Sequence, residues 1–410
     1  MKRFFLQKVL LFLDKLILKK YHPLIIAITG NVGKTSTKEA IYTLLKSKYN
    51  VRKNESNLNT PIGISLAIIG VNSGGKSWRS WMENIWQGVS LVLKKAPNYP
   101  QILILELGAD HKGDISSLSK LLKPKIGVIT NIGEMPVHLE FFKDVAELYQ
   151  EKANLISNLS QDGFGVLNYD NPKIYGFKNL TQAKVISYGF KEGADVRISD
   201  FKIIPEENLA ASSMYFRIEY QGNAIPFQTK NVIGKNYAYA ILCAVCVGLI
   251  LEMNLVEIVE ELKDYQGVNS RARLLKGVNQ SWIIDDSYNA SPLATEYALD
   301  LLDILPAQRK IFVFGDMLEL GTITEQAHRY IGRLIVKNNI DILVTIGEYS
   351  KFTDDEVLKQ GFNQDNLFHF QNSQDASDWI KTIIKQGDLI LIKGSRKIQV
   401  SEITKNLVKN

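Results

Sequence analysis

The run Ile25-Ile26-Ala27-Ile28-Thr29-Gly30-Asn31-Val32-Gly33-Lys34-Thr35-Ser36-Thr37 sets a β-branched stretch against a glycine turn, then a lysine followed by hydroxyls. A buried strand feeding such a loop and a helix N-terminus gathers backbone N–H groups, the positive end of a helix dipole and one ammonium around a single point. That is the chemistry of a polyphosphate cradle. In it Lys34 reaches the β- and γ-phosphates, Thr35 offers its hydroxyl to Mg²⁺, and Gly30 and Gly33 let the backbone approach closely. Asn31 and Ser36, in the same loop, are nucleotide-binding candidates. The usual pattern places four residues between its glycines, whereas this loop has two.

Other chemistry-bearing residues follow apolar runs. Glu106 ends Ile102-Leu103-Ile104-Leu105-Glu106-Leu107-Gly108-Ala109, where an acid is available to Mg²⁺ directly or through water. Asn131 opens the loop Thr130-Asn131-Ile132-Gly133-Glu134-Met135-Pro136-Val137-His138-Leu139-Glu140, in which His138 reads either as a ligand or as a structural imidazole. Lys152, fourteen residues later in a helix expected to begin near residue 144, reads on its own as solvated surface. All these positions lie at carboxyl ends of expected strands or just beyond, where open α/β sheets place their ligands.

The elements that position them read as strand-then-helix repeats. Expected buried strands cover residues 24–29, 102–106, 126–130, 165–168 and 185–188, an alternation that implies a parallel sheet covered on both faces. Residues 196–203, 214–220 and 224–229 alternate in polarity and read as a small antiparallel appendage. Residues 234–251 read as a buried helix. A second strand series (282–285, 310–314, 342–346, 389–392) implies a smaller doubly wound domain, with the boundary within residues 266–275.

The 410 residues, 45% hydrophobic and 22% charged, are ordinary globular composition for two or three domains. The net charge of +6 is concentrated in residues 1–20, where Lys2, Arg3, Lys8, Lys15, Lys19 and Lys20 against Asp14 account for +5. The nearly neutral remainder argues against a nucleic-acid footprint. Cys243 and Cys246 sit in one apolar run with no second pair to complete a zinc site, and read as buried thiols of a reducing cytoplasm. Residues 1–21 lack both a cleavage site and an uncharged run long enough to span a bilayer. As a helix they place Lys8, Lys15 and Lys19 near one face and Phe5, Val9, Leu13 and Leu16 opposite, suiting either an interfacial helix or one packed on the protein.

Six ordered blocks together resemble the Mur ligase family, most closely its D-alanyl-D-alanine-adding branch. They are residues 30–38; Asn57-Leu58-Asn59-Thr60-Pro61-Ile62-Gly63; Glu106-Leu107-Gly108-Ala109; residues 131–140 with Lys152; Asp285-Asp286-Ser287-Tyr288-Asn289-Ala290-Ser291-Pro292 with Gly315-Asp316-Met317-Leu318-Glu319-Leu320-Gly321; and Lys393-Gly394-Ser395-Arg396. The resemblance implies an α/β chain: an N-terminal helix (1–22), a P-loop parallel-sheet ATPase domain (23–269) and a Rossmann-like ligase domain (270–410). It implies an ATP-dependent amide ligase that joins D-Ala-D-Ala to a UDP-MurNAc-tripeptide-like carboxylate through an acyl phosphate. Such an enzyme is expected in the cytoplasm; the charge concentrated in residues 1–22, and not the resemblance, adds the expectation of peripheral contact on the inner membrane face, with packing on the ATPase domain as the alternative.

By the same resemblance, Thr35 and Glu106 hold one Mg²⁺, and His138 and a carbamylated Lys152 hold a second. Arg273, or in second place Arg271, reaches the transferring phosphoryl group. Asn236, Asp286, Tyr288 and Asn289 line the nucleotide side, while Asn57, Asn59, Thr60, Lys393 and Arg396 serve the substrates. Three features depart from the family pattern. Only 22 residues precede the first strand, where the family carries a uridine-nucleotide domain. The adenine-binding block appears as Gly234-Lys235-Asn236-Tyr237-Ala238-Tyr239, with Tyr239 expected to stack on the base. Asn154 replaces an acid two residues after Lys152. Rival readings are a ligase of the same fold acting on another carboxylate, such as a free peptide or a folate, and a non-catalytic membrane-associated scaffold.

Overall fold

The computed structural model describes residues 2–55 and 58–409, with side chains from Phe5 onward. The strands are β1 (Leu24–Thr29), β2 (Val51–Lys53), β3 (Ile102–Glu106), β4 (Ile126–Ile129), β5 (Phe164–Asn168), β6 (Lys184–Gly189), β7 (Val196–Ile204), β8 (Ser213–Tyr220), β9 (Asn223–Gln228), β10 (Arg273–Lys276), β11 (Trp282–Asp286), β12 (Arg309–Gly315), β13 (Ile342–Ile346), β14 (Leu367–Phe370) and β15 (Asp388–Lys393). The helices are α1 (Lys2–Tyr21), α2 (Lys34–Leu45), α3 (Pro61–Ile69), α4 (Trp78–Leu93), α5 (Asp114–Leu122), α6 (Val145–Ser157), α7 (Pro172–Tyr175), α8 (Lys235–Ile250), α9 (Leu255–Leu262), α10 (Pro292–Ile304), α11 (Thr324–Lys337), α12 (Lys351–Lys359), α13 (Ser373–Ile383) and α14 (Ser401–Leu407).

Nine strands form the first sheet in the order β2-β3-β1-β4-β5-β6-β7-β8-β9. The central strands are continuous Ile, Leu and Val runs because both faces are covered. On one face α2, α8 and α9 bury Ile41, Leu44, Ile241 and Ile258; on the other α3, α5 and α6 bury Ile64, Leu118 and Leu155. β7 joins parallel to β6, and β8 and β9 continue antiparallel, so the expected appendage is the far edge of the main sheet. β1 and β4 are neighbours whose onward connections leave in opposite directions, which opens a crevice at their carboxyl ends. Gly30 and Asn131 stand there, bridged by Asn31 N–H and Val32 N–H donating to the Asn131 carbonyl at 2.7 and 3.1 Å.

The second sheet runs β10-β11-β15-β12-β13-β14, all parallel except the edge strand β10. Asp286 and Lys393 are register partners at the carboxyl ends of β11 and β15. Cys243 and Cys246 of α8 are buried and unpaired, and burial pushes both thiols up.

Helix α1 corrects the expected assignment of faces. Leu6, Leu10, Leu13 and Ile17 are the buried stripe, while Phe5 is exposed on the side of Lys8 and Lys15. Asp14 is fully buried, and its carboxylate accepts from the Ser65 hydroxyl of α3 at 2.5 Å. No described helix is long and apolar enough to cross a membrane.

Candidate functional site

The phosphate loop is shaped by two backbone positions only glycine fills well. Gly30 has φ 143° and a side chain there would lie 2.1 Å from the Thr130 hydroxyl; Gly33 has φ 91° and would crowd Asn236 at 3.1 Å. Gly33 is the N-cap of α2, with no side chain capping the helix. The first intrahelical bond of α2 is Thr37 N–H to the Gly33 carbonyl at 2.9 Å, so the N–H groups of Lys34, Thr35 and Ser36 precede it and point out of the helix end. Together with the dipole they form an anion site.

Lys34 Nζ donates to the Gly30 carbonyl at 2.9 Å and the Asn31 carbonyl at 3.4 Å. Lys152, buried on α6, donates to the same Gly30 carbonyl at 3.2 Å. Burial, and then the neighbouring Lys34 charge, pushes the Lys152 amine down to about 7. Burial also lowers Lys34, opposed by Glu106 and Asp110.

Thr35 Oγ1 donates to Glu106 Oε2 at 3.0 Å, and Lys38 Nζ lies 3.3 Å from that same oxygen. Asn54 pins this strand end, accepting from Glu106 N–H at 2.8 Å and donating to the Leu58 carbonyl at 2.8 Å. A hydroxyl and a carboxylate converging beside a phosphate loop are hard oxygen donors that suit Mg²⁺. His138 fits a second ion less directly: its ring pairs with Glu319, in the loop after β12, at 2.8 Å, and this contact holds the Glu319 carboxyl below its usual range. Among the described residues no three His, Cys, Asp or Glu side chains converge on one point. Asn154 turns away from the Lys152 amine to donate to Glu151 at 3.2 Å.

The loop faces a cleft whose opposite wall comes from the second sheet. Asn31, Gly33, Lys34, Thr35, Ser36, Glu106 and Asn236 line one side; Arg271, Asp286 and Tyr297 line the other. Arg271, the second of the two arginine candidates, is the one in the cleft, 4.0 Å above the Tyr288 ring. Arg273 is exposed and donates to Asn269, because it begins an edge strand whose ladder turns its side chain outward. Lys393, expected at a substrate, is buried and ion-paired with Asp286 while donating to the Asn289 carbonyl at 3.1 Å. Burial raises the Asp286 carboxyl and lowers the Lys393 amine. The Asn289 side chain accepts from the Ala290 N–H of its own loop, and Arg396 is exposed beyond β15.

Tyr239 does not line the cleft. Its hydroxyl donates to Asp170 at 2.8 Å and its ring packs with Tyr188, Phe190 and Tyr297, so an aromatic cluster occupies the face expected to meet a base. On the acceptor side, Thr60 caps α3 through Gly63 N–H and the Asn59 carbonyl accepts from Gly108 N–H at 2.9 Å. Asn57 lies outside the described residues. Sequence reasoning missed Lys38, Tyr297 and the roles of Asp110 and Glu319. Lys38, one helical turn after Lys34, was the signal within reach.

Residues 28–248 match the Mur ligase middle domain and residues 270–396 the Mur ligase, glutamate ligase domain. The chain is 29% identical over 401 residues to the UDP-N-acetylmuramoyl-tripeptide–D-alanyl-D-alanine ligase of Bacillus subtilis, covering 97% of this chain and 79% of that one. The Escherichia coli protein of the same name is 24% identical, with 94% and 77% covered. The MurF ligase of Thermotoga maritima, solved in complex with ADP, superposes with TM-score 0.79 at 24% identity over 98% of this chain and 83% of that one. MurF from Acinetobacter baumannii superposes at 0.80 and 22% identity, with 98% and 79% covered.

Proposed function

We propose that this chain, which belongs to the Mur ligase family, is an ATP-dependent, ADP-forming ligase that joins D-Ala-D-Ala to the carboxylate of a UDP-MurNAc-tripeptide-like acceptor in peptidoglycan precursor synthesis. The observation that carries this reading is the single cleft in which Lys34, Thr35 and Glu106 of the first sheet face Arg271 and Asp286 of the second. Its relatives of the same name support the substrate pair. In the reaction an acceptor carboxylate oxygen bonds to the γ-phosphorus of ATP as the bond to ADP breaks. The amine of D-Ala-D-Ala then attacks the acyl carbon, phosphate leaves, and the amine's surplus proton passes to solvent. Both reactants of the first step are anionic, so the protein's part is to supply cations and N–H dipoles. Lys34 and the start of α2 hold the phosphates, and Arg271 approaches from the hinge.

Thr35 and Glu106 would hold Mg²⁺, which supplies charge neutralisation between phosphates. Lys152, neutral in part at pH 7, adds to CO₂: a nitrogen–carbon bond forms, a proton is released, and the resulting carbamate would complete a second ion site with His138. Asn59 and Thr60 serve the acceptor and Arg396 the incoming dipeptide. The chain divides for function into residues 1–22, 23–269 and 270–410. Residues 1–22 make peripheral membrane contact through the basic face of α1. The test of the substrate assignment is ADP release with UDP-MurNAc-tripeptide plus D-Ala-D-Ala, compared with the same peptide lacking UDP. Turnover is expected with the first; turnover with the second alone would move the activity to a non-nucleotide carboxylate.

A further inference from the structure

Helices α1 and α4 lie side by side in parallel. Leu6 borders the same cavity as Trp78 and Trp81, a side chain added at Gly88 would lie 2.9 Å from Leu13, and Lys20 Nζ donates to the Leu91 and Val92 carbonyls at 2.9 Å. Both helices carry large apolar side chains on their outer faces. On α1, Phe5, Lys8, Phe12, Lys15 and Lys19 are exposed, and at 100° per residue they fall within an arc of about 80°. On α4, Trp78, Met82, Trp86 and Leu93 are 63, 47, 72 and 75% exposed, and they too share an arc of about 80°. A protein surface rarely leaves two such stripes adjacent without a partner.

Charge identifies the partner. Residues 1–22 and 76–95 carry a net +8, which leaves the rest of the chain at −2. Exposed Trp and Phe interleaved with Lys and Arg match the boundary of an anionic bilayer, where rings sit at headgroup depth and lysines extend to the phosphates. A second copy fits poorly, because a two-fold contact through this face would set like charges against each other. We propose that the paired outer faces of α1 and α4 form one docking platform for an anionic lipid bilayer. This rests on the membrane contact of residues 1–22 and adds α4 as its principal apolar anchor. The cavity of about 580 Å³ beside Trp78 reaches Thr60 and Gly63, so the docked face borders the acceptor loop.

The test uses the full chain with vesicles of phosphatidylcholine alone or mixed with phosphatidylglycerol, read by sedimentation and by quenching of tryptophan fluorescence with brominated lipid. Sedimentation with the anionic vesicles only, weakened by salt, is expected. The W86S variant should lower partitioning at least tenfold, and the W78F/W86F variant should still sediment but lose most quenching. Binding with no quenching, or with W86S unaffected, would overturn the α4 platform and leave the α1 contact standing. No sedimentation with either vesicle would overturn both, as would a dimer that W86S dissolves in the absence of vesicle binding. ADP release, assayed without vesicles, tests the ligase reading separately.

Discussion

Lys34 and Lys152 compete for one acceptor, the Gly30 carbonyl, inside a site where two buried ammonium groups repel. The conflict resolves by proton loss from Lys152, whose amine sits at about 7. Above that pH the neutral form dominates and can react with CO₂; below it the ammonium cannot. Lys152→Ala is therefore expected to be nearly inactive and to recover partly in short carboxylic acids that replace the missing anion. Lys34→Ala, which loses a cation, should lose about 3 kcal/mol or more of transition-state stabilisation and show no recovery. ADP-release assays with and without added acetate check both. Full activity of Lys152→Ala in CO₂-depleted buffer would remove this lysine from the mechanism. The glycine loop was legible in sequence because its chemistry is local: strand, turn, lysine and hydroxyl follow one another. Tyr297 and the Glu319 contact with His138 were not, because they meet the first domain's loops across a junction made only by the fold, and Arg271 was named behind Arg273 because only the folded backbone decides which of the two enters the cleft.

Among the elements, α1 shows what periodicity can and cannot decide. The helix was legible, but its faces were misassigned because the sequence places Asp14 on the buried side and Phe5 outside, against the ordinary preferences of both. Asp14 contacts Ser65 through one oxygen while the other, Oδ1, has no hydrogen-bond partner among the described residues. Burial pushes its carboxyl from 3.8 to about 7. The folded protein thus keeps a proton that the unfolded chain gives up near pH 4, and stability falls as pH rises from about 4 to 7. Asp14→Asn removes that penalty, so it should stabilise the protein by about 2–3 kcal/mol more at pH 8 than at pH 5. Denaturant melts at the two pH values measure it; equal effects would mean that Asp14 does not titrate in this range. The central parallel strands were legible as unbroken apolar runs, whereas β2, β10 and β14 were not. All three are edge strands of three or four residues, held by one neighbour each, too short for a period to register.

At the scale of the whole molecule, neither sheet contains the site alone. Asn131, in the loop after β4, donates to the Tyr297 hydroxyl of α10 at 3.0 Å, Lys235 pairs with Asp300 at 3.1 Å, and His138 meets Glu319. These contacts set the second sheet's strand ends over the phosphate loop. The connection between the two passes through Ser270 and Ala272, both left-handed at φ 55° and 54°, where non-glycine residues are strained. This double turn lets two arginines two positions apart end in different places: Arg271 over Tyr288 in the cleft, and Arg273 outside on the edge strand. Of the two, Arg271 alone lines the cleft with Lys34 and Thr35, which is the geometry the proposed phosphoryl transfer asks for. Arg271→Ala should therefore lower kcat/KM at least about a hundredfold, within the range for a phosphoryl-stabilising arginine, with an unchanged melting temperature. Arg271→Lys should restore only part of it, since a point charge lacks the planar fork. Arg273→Ala should stay within about threefold of the parent, because the exposed guanidinium contacts only Asn269 among the described hydrogen bonds. Parallel ADP-release kinetics on the three variants decide the matter: the reverse order of losses would hand the role to Arg273 and require the hinge to turn before phosphoryl transfer.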